Sequence, residues 1–215
     1  MISLIELGRS DQALTFATAE LAMAQQLTDL VVGAVDEPVL AALLLGKAAE
    51  ANERGVELEV DPASAVPEGV IPARDLVTVV GNLLDNAIDA AAAAPGPRRV
   101  GFSSWIEDTQ SAHGIASTLV LQISDTGAGM DDLSASRAFT RGWSTKTGHR
   151  LVGHGLGLAL VGQTTHRHHG TVEVGRADNT VSGNHLSGSA PTCTSPFVGA
   201  VFTVRLPLAI ETVAP

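Results

Sequence analysis

The sequence predicts an α+β fold: a two-layer sandwich in which helices cover one face of a mixed, largely antiparallel sheet. Two observations support this fold class. Segments with apolar residues at helical spacing are mixed along the chain with shorter runs that alternate like strands. The later strands also follow one another in an order that suits antiparallel pairing, so a purely parallel arrangement is not expected.

Capping residues and helix breakers delimit the elements. Asp36 and Pro38 suit a helix start, the Pro95-Gly96-Pro97 run stops a helix, and Gly170 suits the position just past another helix end. The predicted helices cover residues 10–32, 36–55, 72–94 and 156–169. The predicted strands cover residues 56–60, 99–106, 117–124, 171–174 and 200–206, with the second and third forming a hairpin. Residues 125–153 and 175–199 are predicted to be long loops, and the second is expected to be mobile.

The first helix has two interpretations. Its apolar stripe includes Leu14, Leu21 and Val31, and a short apolar stub and a turn precede it. These features suit the end of a helical hairpin, and they equally suit an N-terminal helix docked on its own domain.

Charge and composition exclude several classes. With 23 acidic and 13 basic residues the formal net charge is −10, which disfavours nonspecific binding to nucleic acid or an anionic membrane. Cys193 is the single cysteine, which excludes an internal disulfide and indicates a reducing compartment. The longest strictly apolar run, residues 39–45, is too short for a membrane span, and the start lacks the features of a signal peptide. We therefore expect a soluble piece, and whether it belongs to a larger protein stays open at this point.

The stretch NLLDNAID places polar groups at regular spacing on the helix predicted for residues 72–94. Asn82 and Asn86 are four residues apart and share one face, as do Asp85 and Asp89. An Asn carbonyl is a neutral oxygen ligand that suits Mg²⁺ together with water and phosphate oxygens. A solvated polar stripe is the alternative for this helix taken alone, because short motifs match by chance.

A second motif, ISDTGAGM, ends a strand in Asp125 and continues with alternating glycines. A carboxylate at a strand end can accept a hydrogen bond from an exocyclic amine such as that of adenine. Gly127 and Gly129 would let the backbone approach a flat base. An ordinary turn after a strand is the alternative.

A third motif, GHGLGLAL, contains Gly153, Gly155, Leu156 and Gly157 and opens into a helix. The free N–H groups and dipole of a helix start attract anions. A long loop rather than a strand precedes the motif, which argues against a dinucleotide-binding fingerprint, and the Lys-Ser/Thr ending of a P-loop is missing.

In this order the three motifs resemble the N, G1 and G2 boxes of the ATP-binding domain shared by sensor histidine kinases, DNA gyrase, Hsp90 chaperones and MutL, which has the Bergerat-type fold. Phe139 and residues 141–146 are similar to the F box of the kinase branch. The chain most resembles sensor kinases for citrate and C4-dicarboxylates, essentially over its whole length and most convincingly over residues 75–206.

The resemblance implies a role for each motif, with ATP and Mg²⁺ as ligands. Asn86 would hold the metal, Asn82 would lie beside the phosphates and Asp125 would accept the adenine amine. Residues 130–152 would form a mobile lid from which Lys146, with Arg141 and Arg150 as alternatives, reaches the phosphates. The other implied nucleotide-binding residues are Gly127 and Gly129 at the base, Gly153, Gly155, Leu156 and Gly157 at the phosphates, and Thr203 as a support for Asp125.

Two departures from the superfamily specify the branch. Hydrolysing members carry a glutamate as general base where this chain has Asn82, and an amide is not a useful base near neutral pH, so a kinase is favoured over an ATPase. A histidine kinase also needs an acceptor His on a dimerising hairpin, whereas all seven histidines lie after residue 112. We therefore expect residues 1–35 to be the remnant of that hairpin, and residues 36–215 to be the catalytic domain. The acceptor would lie upstream, in the intact, membrane-anchored sensor, of which this chain is a cytoplasmic part.

The implied partners are ATP, the acceptor helix and a response regulator. Whether the remnant still forms a homodimer stays open, as do two other functions: an anti-sigma-type serine kinase and a nucleotide-binding module without catalysis. His166, His168 and His169 are interpreted as groups that complement the helix dipole rather than as metal ligands.

Overall fold

The computed structural model describes residues 10–111, 114–139, 156–176 and 197–208. Its elements follow the predicted order with one addition. The helices are α1 (Ser10–Ala34), α2 (Pro38–Glu53), α3 (Ala73–Ala92), α4 (Asp132–Arg137) and α5 (Gly157–Arg167). The strands are β1 (Glu57–Val60), β2 (Arg99–Ser111), β3 (Gly114–Asp125), β4 (Thr171–Arg176) and β5 (Ala200–Pro207). No helix in these ranges is long and apolar enough to cross a membrane.

The five strands form one mixed sheet with the order β1-β2-β3-β5-β4. Only β1 and β2 pair in parallel, and the other three pairs are antiparallel. The register of β3 and β5 sets Ser124 opposite Val201, so the end of β3 meets the start of β5. This register determines the candidate site described below. The predicted α+β fold class is confirmed.

The core lies between one face of the sheet and the helices. Because side chains alternate along a strand, one face presents the fully buried Phe102, Leu121 and Phe202. Helix α3 covers them with Leu83 and Leu84, which are also fully buried. Burying a side chain of this size contributes about 1.5–3 kcal/mol, so this central helix is firmly seated. Helices α2 and α5 pack on either side of it.

The local differences from prediction have simple causes. The second helix is capped by Glu37 rather than Asp36, since the Glu37 carboxylate accepts a hydrogen bond from the Val39 N–H. The hairpin of β2 and β3 is longer than predicted because polar residues continue the pairing at its end. Helix α4 lies within the region predicted to be a loop, and its N-cap is Asp131, whose side chain accepts from the Ser134 N–H.

Among the side chains of helix α1 that the structure describes, the buried ones lie near its end. Val31 is fully buried, whereas Leu14 and Leu21 are about two-thirds exposed (66% and 67%). Leu14 and Leu21, two residues of the predicted apolar stripe, are therefore not buried against the part of the domain that the structure describes.

A partly buried cluster of one carboxylate and two basic side chains joins the start of α3 to the end of α5. Asp75 accepts from Arg167 Nη1 at 3.0 Å and lies 2.8 Å from His168 Nε2. The hydrogen bond to His168, helped by the Arg167 charge, lowers the pKa of Asp75 below its usual value, although burial acts in the opposite direction. Arg167 and His168, at the end of α5, therefore bind a specific carboxylate. Complementing the helix dipole does not by itself explain the basic residues at this end.

This cluster predicts a pH-dependent stability. We expect Asp75→Asn to lower the free energy of unfolding by about 2 kcal/mol near neutral pH, since hydrogen bonds to a charged group are lost. Because the folded pKa is depressed, the stabilisation is present above the ordinary carboxyl pKa of about 3.9 and is lost as the pH falls through the lowered value.

Urea denaturation of both proteins over a pH series measures this difference. Asp85→Asn is the matched control: its carboxylate pairs with Lys47 but is 52% exposed, so it should cost less than about 1 kcal/mol. Equal losses in the two variants at neutral pH would contradict the role given to Asp75.

Candidate nucleotide-binding site

Asp125 is a buried carboxylate at the end of β3. It continues the core-facing series of Leu121 and Ile123, and it is 1% exposed. Its Oδ1 accepts from the Gly127 N–H at 2.8 Å and from the Ala200 N–H at 3.2 Å. Burial raises the pKa of Asp125, although the two N–H groups act in the opposite direction. Both of these hydrogen bonds end on Oδ1 rather than on Oδ2.

Close contacts require glycine around this carboxylate. A Cβ on Gly127 would lie 2.7 Å from the Ala90 Cβ and 2.9 Å from Asp125 Oδ1. A Cβ on Gly199 would collide with Asp125 Oδ1, and the Gly199 N–H donates to the Asp125 carbonyl at 2.9 Å. Gly129 has a φ of +74° and lies against the Gly199 backbone. The backbone therefore approaches the carboxylate from two separate segments.

Helix α3 presents the two amides of the NLLDNAID motif. Asn82 Nδ2 donates to the Thr78 carbonyl at 2.6 Å, and Asn86 Nδ2 donates to the Asn82 carbonyl at 2.9 Å. Each amide nitrogen is thus held against the preceding turn, and the carbonyl oxygen is directed away from it. In this arrangement Oδ1 of Asn86 suits a hard cation, because it is a neutral oxygen with a fixed orientation.

The two carboxylates of the NLLDNAID motif pair with a neighbouring helix rather than with the candidate site. Asp85 accepts from Lys47, and Asp89 accepts from Arg54 at 2.6 Å. Both cations belong to α2 or directly follow it, so the carboxylates join α3 to its neighbouring helix. Partial burial lowers the pKa of Lys47, but the hydrogen bonds to Asp85 and Glu50 outweigh it and the net pKa is raised. Only the two amides remain on the candidate-site face.

The G2 motif is described from Leu156 onward. Gly157 is the first residue of α5, and a Cβ there would lie 2.7 Å from Asn82 Oδ1. Leu156, the N-cap, is 47% exposed. Gly153 and Gly155 lie outside the described residues. So do Lys146, its alternatives Arg141 and Arg150, and Cys193.

Phe139 of the F box is half-buried and packs against the core. Its ring meets Phe202 of β5 edge to face, with centroids 6.5 Å apart. A Cβ on Gly162 of α5 would lie 3.4 Å from its Cβ. Phe139, which follows α4, therefore connects this part of the chain to α5, the helix that begins at Gly157.

The resemblance implied that Thr203 supports Asp125, but the structure does not place the two side chains together. Its hydroxyl accepts from Gln122 Nε2 at 3.4 Å, on the face of the sheet opposite Phe202 and Val204. Asp125 lies on the core face, so the alternation of side chains along β5 separates the two residues. The support for the carboxylate comes from the Ala200 N–H and the Gly199 backbone, which sequence reasoning missed. The only sequence signal was the position of Gly199 just before the last strand.

The described site residues lie along one edge of α3. Asn82, Asn86 and Ala90 are successive at four-residue spacing and all are half-buried. Gly157 lies against Asn82, and Gly127 with Asp125 lies against Ala90. Asn82 and Ala90 are separated by a little more than two helical turns, or about 12 Å along the helix axis, and Asn86 lies midway between them. The structure thus brings Asn82, Asn86, Asp125, Gly127 and Gly157 to one side of α3.

The fold is similar to that of the catalytic domain of histidine kinase ThkA, which matches with a TM-score of 0.51 at 16% identity, over 80% of this chain and 91% of that one. Full-length ShkA, whose structure was determined in complex with AMPPNP, matches with a TM-score of 0.55 at 22% identity, over 81% of this chain and 30% of that one. The family described as histidine kinase-, DNA gyrase B- and HSP90-like ATPase matches residues 72–210, and the chain belongs to it.

Two curated relatives agree with this assignment. The sensor protein CitS of Bacillus subtilis is 31% identical over 211 residues, which cover 96% of this chain and 33% of that protein. A probable C4-dicarboxylate sensor kinase of Halalkalibacterium halodurans is 31% identical over 178 residues, which cover 80% and 31%. The chain spans about a third of the length of the curated relatives it matches. The resemblance predicted from the sequence motifs is confirmed.

Proposed function

We propose that this chain is the ATP-binding catalytic part of a two-component sensor histidine kinase. It transfers the γ-phosphate of ATP to a histidine outside the chain, from which a response regulator takes it. The observation that carries the proposal is the line of Asn82, Asn86 and Ala90, with a buried carboxylate at one end and a helix start at the other. Its length is comparable with the distance from a purine to the terminal phosphate of a bound triphosphate.

The base end selects adenine. Asp125 Oδ2 accepts the exocyclic amine, while Gly127 and Gly129 let the backbone lie close to the ring. A hydrogen bond to a charged acceptor is worth about 1.5–3 kcal/mol, so this contact dominates base recognition. The backbone N–H groups on Oδ1 hold the carboxylate in place for it.

The phosphate end combines amide oxygens with a helix start. The N-terminus of α5 attracts the phosphates, Asn82 lies beside them, and Asn86 Oδ1 is the protein ligand for Mg²⁺. A bound Mg²⁺ neutralises charge on the phosphates during transfer. Neither amide is a general base, which favours transfer to an incoming imidazole over activation of water. We assign the further cation at this end to Lys146, as the resemblance to the kinase branch implies.

The first 35 residues complete the proposal. We assign them to the end of the dimerising hairpin whose first helix carries the acceptor histidine. The exposure of Leu14 and Leu21 supports this, since the packing of α1 on the domain begins only near its end. Through this hairpin the intact sensor would dimerise and receive its signal.

Phosphotransfer in trans tests the proposal. Labelled ATP and Mg²⁺ are mixed with this chain and a separately produced hairpin that carries the acceptor histidine. We expect acid-labile label on the hairpin and none on the chain alone. A hairpin with that histidine replaced by Gln is the control. Label on serine, or label absent while ATP binds normally, would contradict the kinase assignment.

A further inference from the structure

Residues 197–199, just before β5, lie beside Asp125 in the candidate site. The Gly199 and Ala200 N–H groups both bond to Asp125, at 2.9 Å to its carbonyl and 3.2 Å to its carboxylate. The Gly199 backbone also contacts Gly129. Because β5 begins at Ala200, Gly199 is held by the strand on one side and by the residues just before it on the other.

Phe197 lies on the opposite face of the sheet from Asp125. Two of its ring atoms, Cζ and Cε2, lie 2.7 and 2.9 Å from the place that a Cβ on Gly101 would occupy. Gly101 belongs to β2 and pairs with Ser124 of β3, which in turn pairs with Val201. The ring therefore reaches across the end of β3 to β2.

Gly101 leaves room for this ring. A glycine inside a strand weakens it and often marks the close approach of another group. Here the approaching group is the Phe197 side chain, together with Ser124 Oγ at 2.7 Å from the same position. Val198, between Phe197 and Gly199, is 54% exposed and contributes little to this attachment.

We propose that Phe197 is a positioning residue for nucleotide selection. Its seat over Gly101 anchors the chain two residues before Gly199, and so keeps the Gly199 and Ala200 N–H groups on Asp125. The ring touches neither base nor phosphate; it acts through the orientation of the carboxylate. This inference rests on the proposed function, because it concerns the same adenine contact.

The readout is the ratio of affinities for ATP and inosine triphosphate, measured by calorimetry. Inosine carries an oxygen in place of the exocyclic amine, so the ratio reports on the Asp125 contact rather than on general folding. In Phe197→Ala we expect the Kd for ATP to rise about tenfold, the loss of one such hydrogen bond, with less than about a twofold change for inosine triphosphate. Val198→Ala is the matched control and should keep the original ratio.

Two further variants test the seat itself. Gly101→Ala should displace the ring and lower the ratio in the same way. It should add little in a Phe197→Ala background, where the ring is gone and only the Ser124 hydroxyl has to turn away from the new methyl group. Phe197→Leu should restore part of the ratio. Circular dichroism at each step checks folding, and the Leu variant keeps the test decisive if the Ala variant unfolds.

The outcomes separate the two proposals. If wild type prefers ATP and Asp125→Asn abolishes the preference, but Phe197→Ala keeps it, the positioning role is wrong and the proposed function stands. If wild type shows no preference, or Asp125→Asn retains it, the adenine contact falls and the role of Phe197 falls with it. A parallel loss of affinity for both nucleotides in Phe197→Ala and Phe197→Leu would reduce Phe197 to a structural residue and overturn the inference.

Discussion

In the variant Asp125→Asn, we expect ATP affinity to fall about ten- to a hundredfold while the folded domain becomes no less stable at neutral pH. The loss corresponds to a charge-assisted hydrogen bond of about 1.5–3 kcal/mol. Asn can keep the acceptor at Oδ1 for the Gly127 and Ala200 N–H groups. The amide nitrogen then takes the place of Oδ2 and presents a donor to the adenine amine, which is also a donor.

The stability half of this prediction follows from the sign of the pKa shift. Burial raises the pKa of Asp125, so the folded chain holds this proton more tightly than the unfolded chain does. The free energy of unfolding therefore falls as the pH rises through the interval between the ordinary pKa, about 3.9, and the raised value. Asn carries no such cost above that interval, so the variant should unfold at an equal or higher denaturant concentration at pH 7.

Calorimetry with ATP and with inosine triphosphate, beside chemical denaturation, measures both halves. Because inosine presents an acceptor, the Asn amide should bind it better than the carboxylate does, and the preference for ATP should disappear or reverse. Asp85→Asn provides the control: it makes the same change of charge on α3, but at a carboxylate that pairs with Lys47. Unchanged ATP affinity in Asp125→Asn would remove the basis for adenine recognition.

Helical and strand periodicity explain why the sequence predicted part of this site. Four-residue spacing places Asn82 and Asn86 on one face of a helix whatever the surroundings. The alternation of side chains along a strand places Asp125 on the same face as Leu121 and Ile123. These relations are local. They are maintained in the structure, where Ala90 continues the same face to the neighbourhood of Gly127.

The missed or misassigned residues depend on long-range register. Asp85 and Asp89 have the same spacing as the amides, but their partners Lys47 and Arg54 are determined by how α2 packs on α3. Thr203 was expected near Asp125, yet the pairing of Gln122 with Thr203 turns it to the other face. Ala200 contributes through a backbone N–H, which carries no signature in the sequence. The spacing of residues along a helix or strand predicts which side chains share a face, but it does not predict which other element packs against that face.

In the variant Asn86→Ala, we expect the Mg²⁺-dependent part of ATP binding to disappear and phosphotransfer in trans to fall about a hundred- to a thousandfold. The variant loses the carbonyl oxygen that Asn86 holds in a fixed orientation through its bond to the Asn82 carbonyl. Removing a preorganised group that stabilises transition-state charge commonly has an effect of this size. Base recognition should persist, because Asp125 lies beyond Ala90, a full turn further along α3.

The measurement compares ATP titrations in Mg²⁺ and in a chelator, for wild type and variant. Wild type should bind more tightly in Mg²⁺, whereas Asn86→Ala should give similar Kd values in both and should keep the preference for ATP over inosine triphosphate. This pattern is the complement of that expected for Asp125→Asn, in which the base preference is lost and the Mg²⁺ dependence remains. If Asn86→Ala retained the full Mg²⁺ dependence, the metal would have to be held elsewhere, and the assignment of the phosphate end of α3 would be wrong.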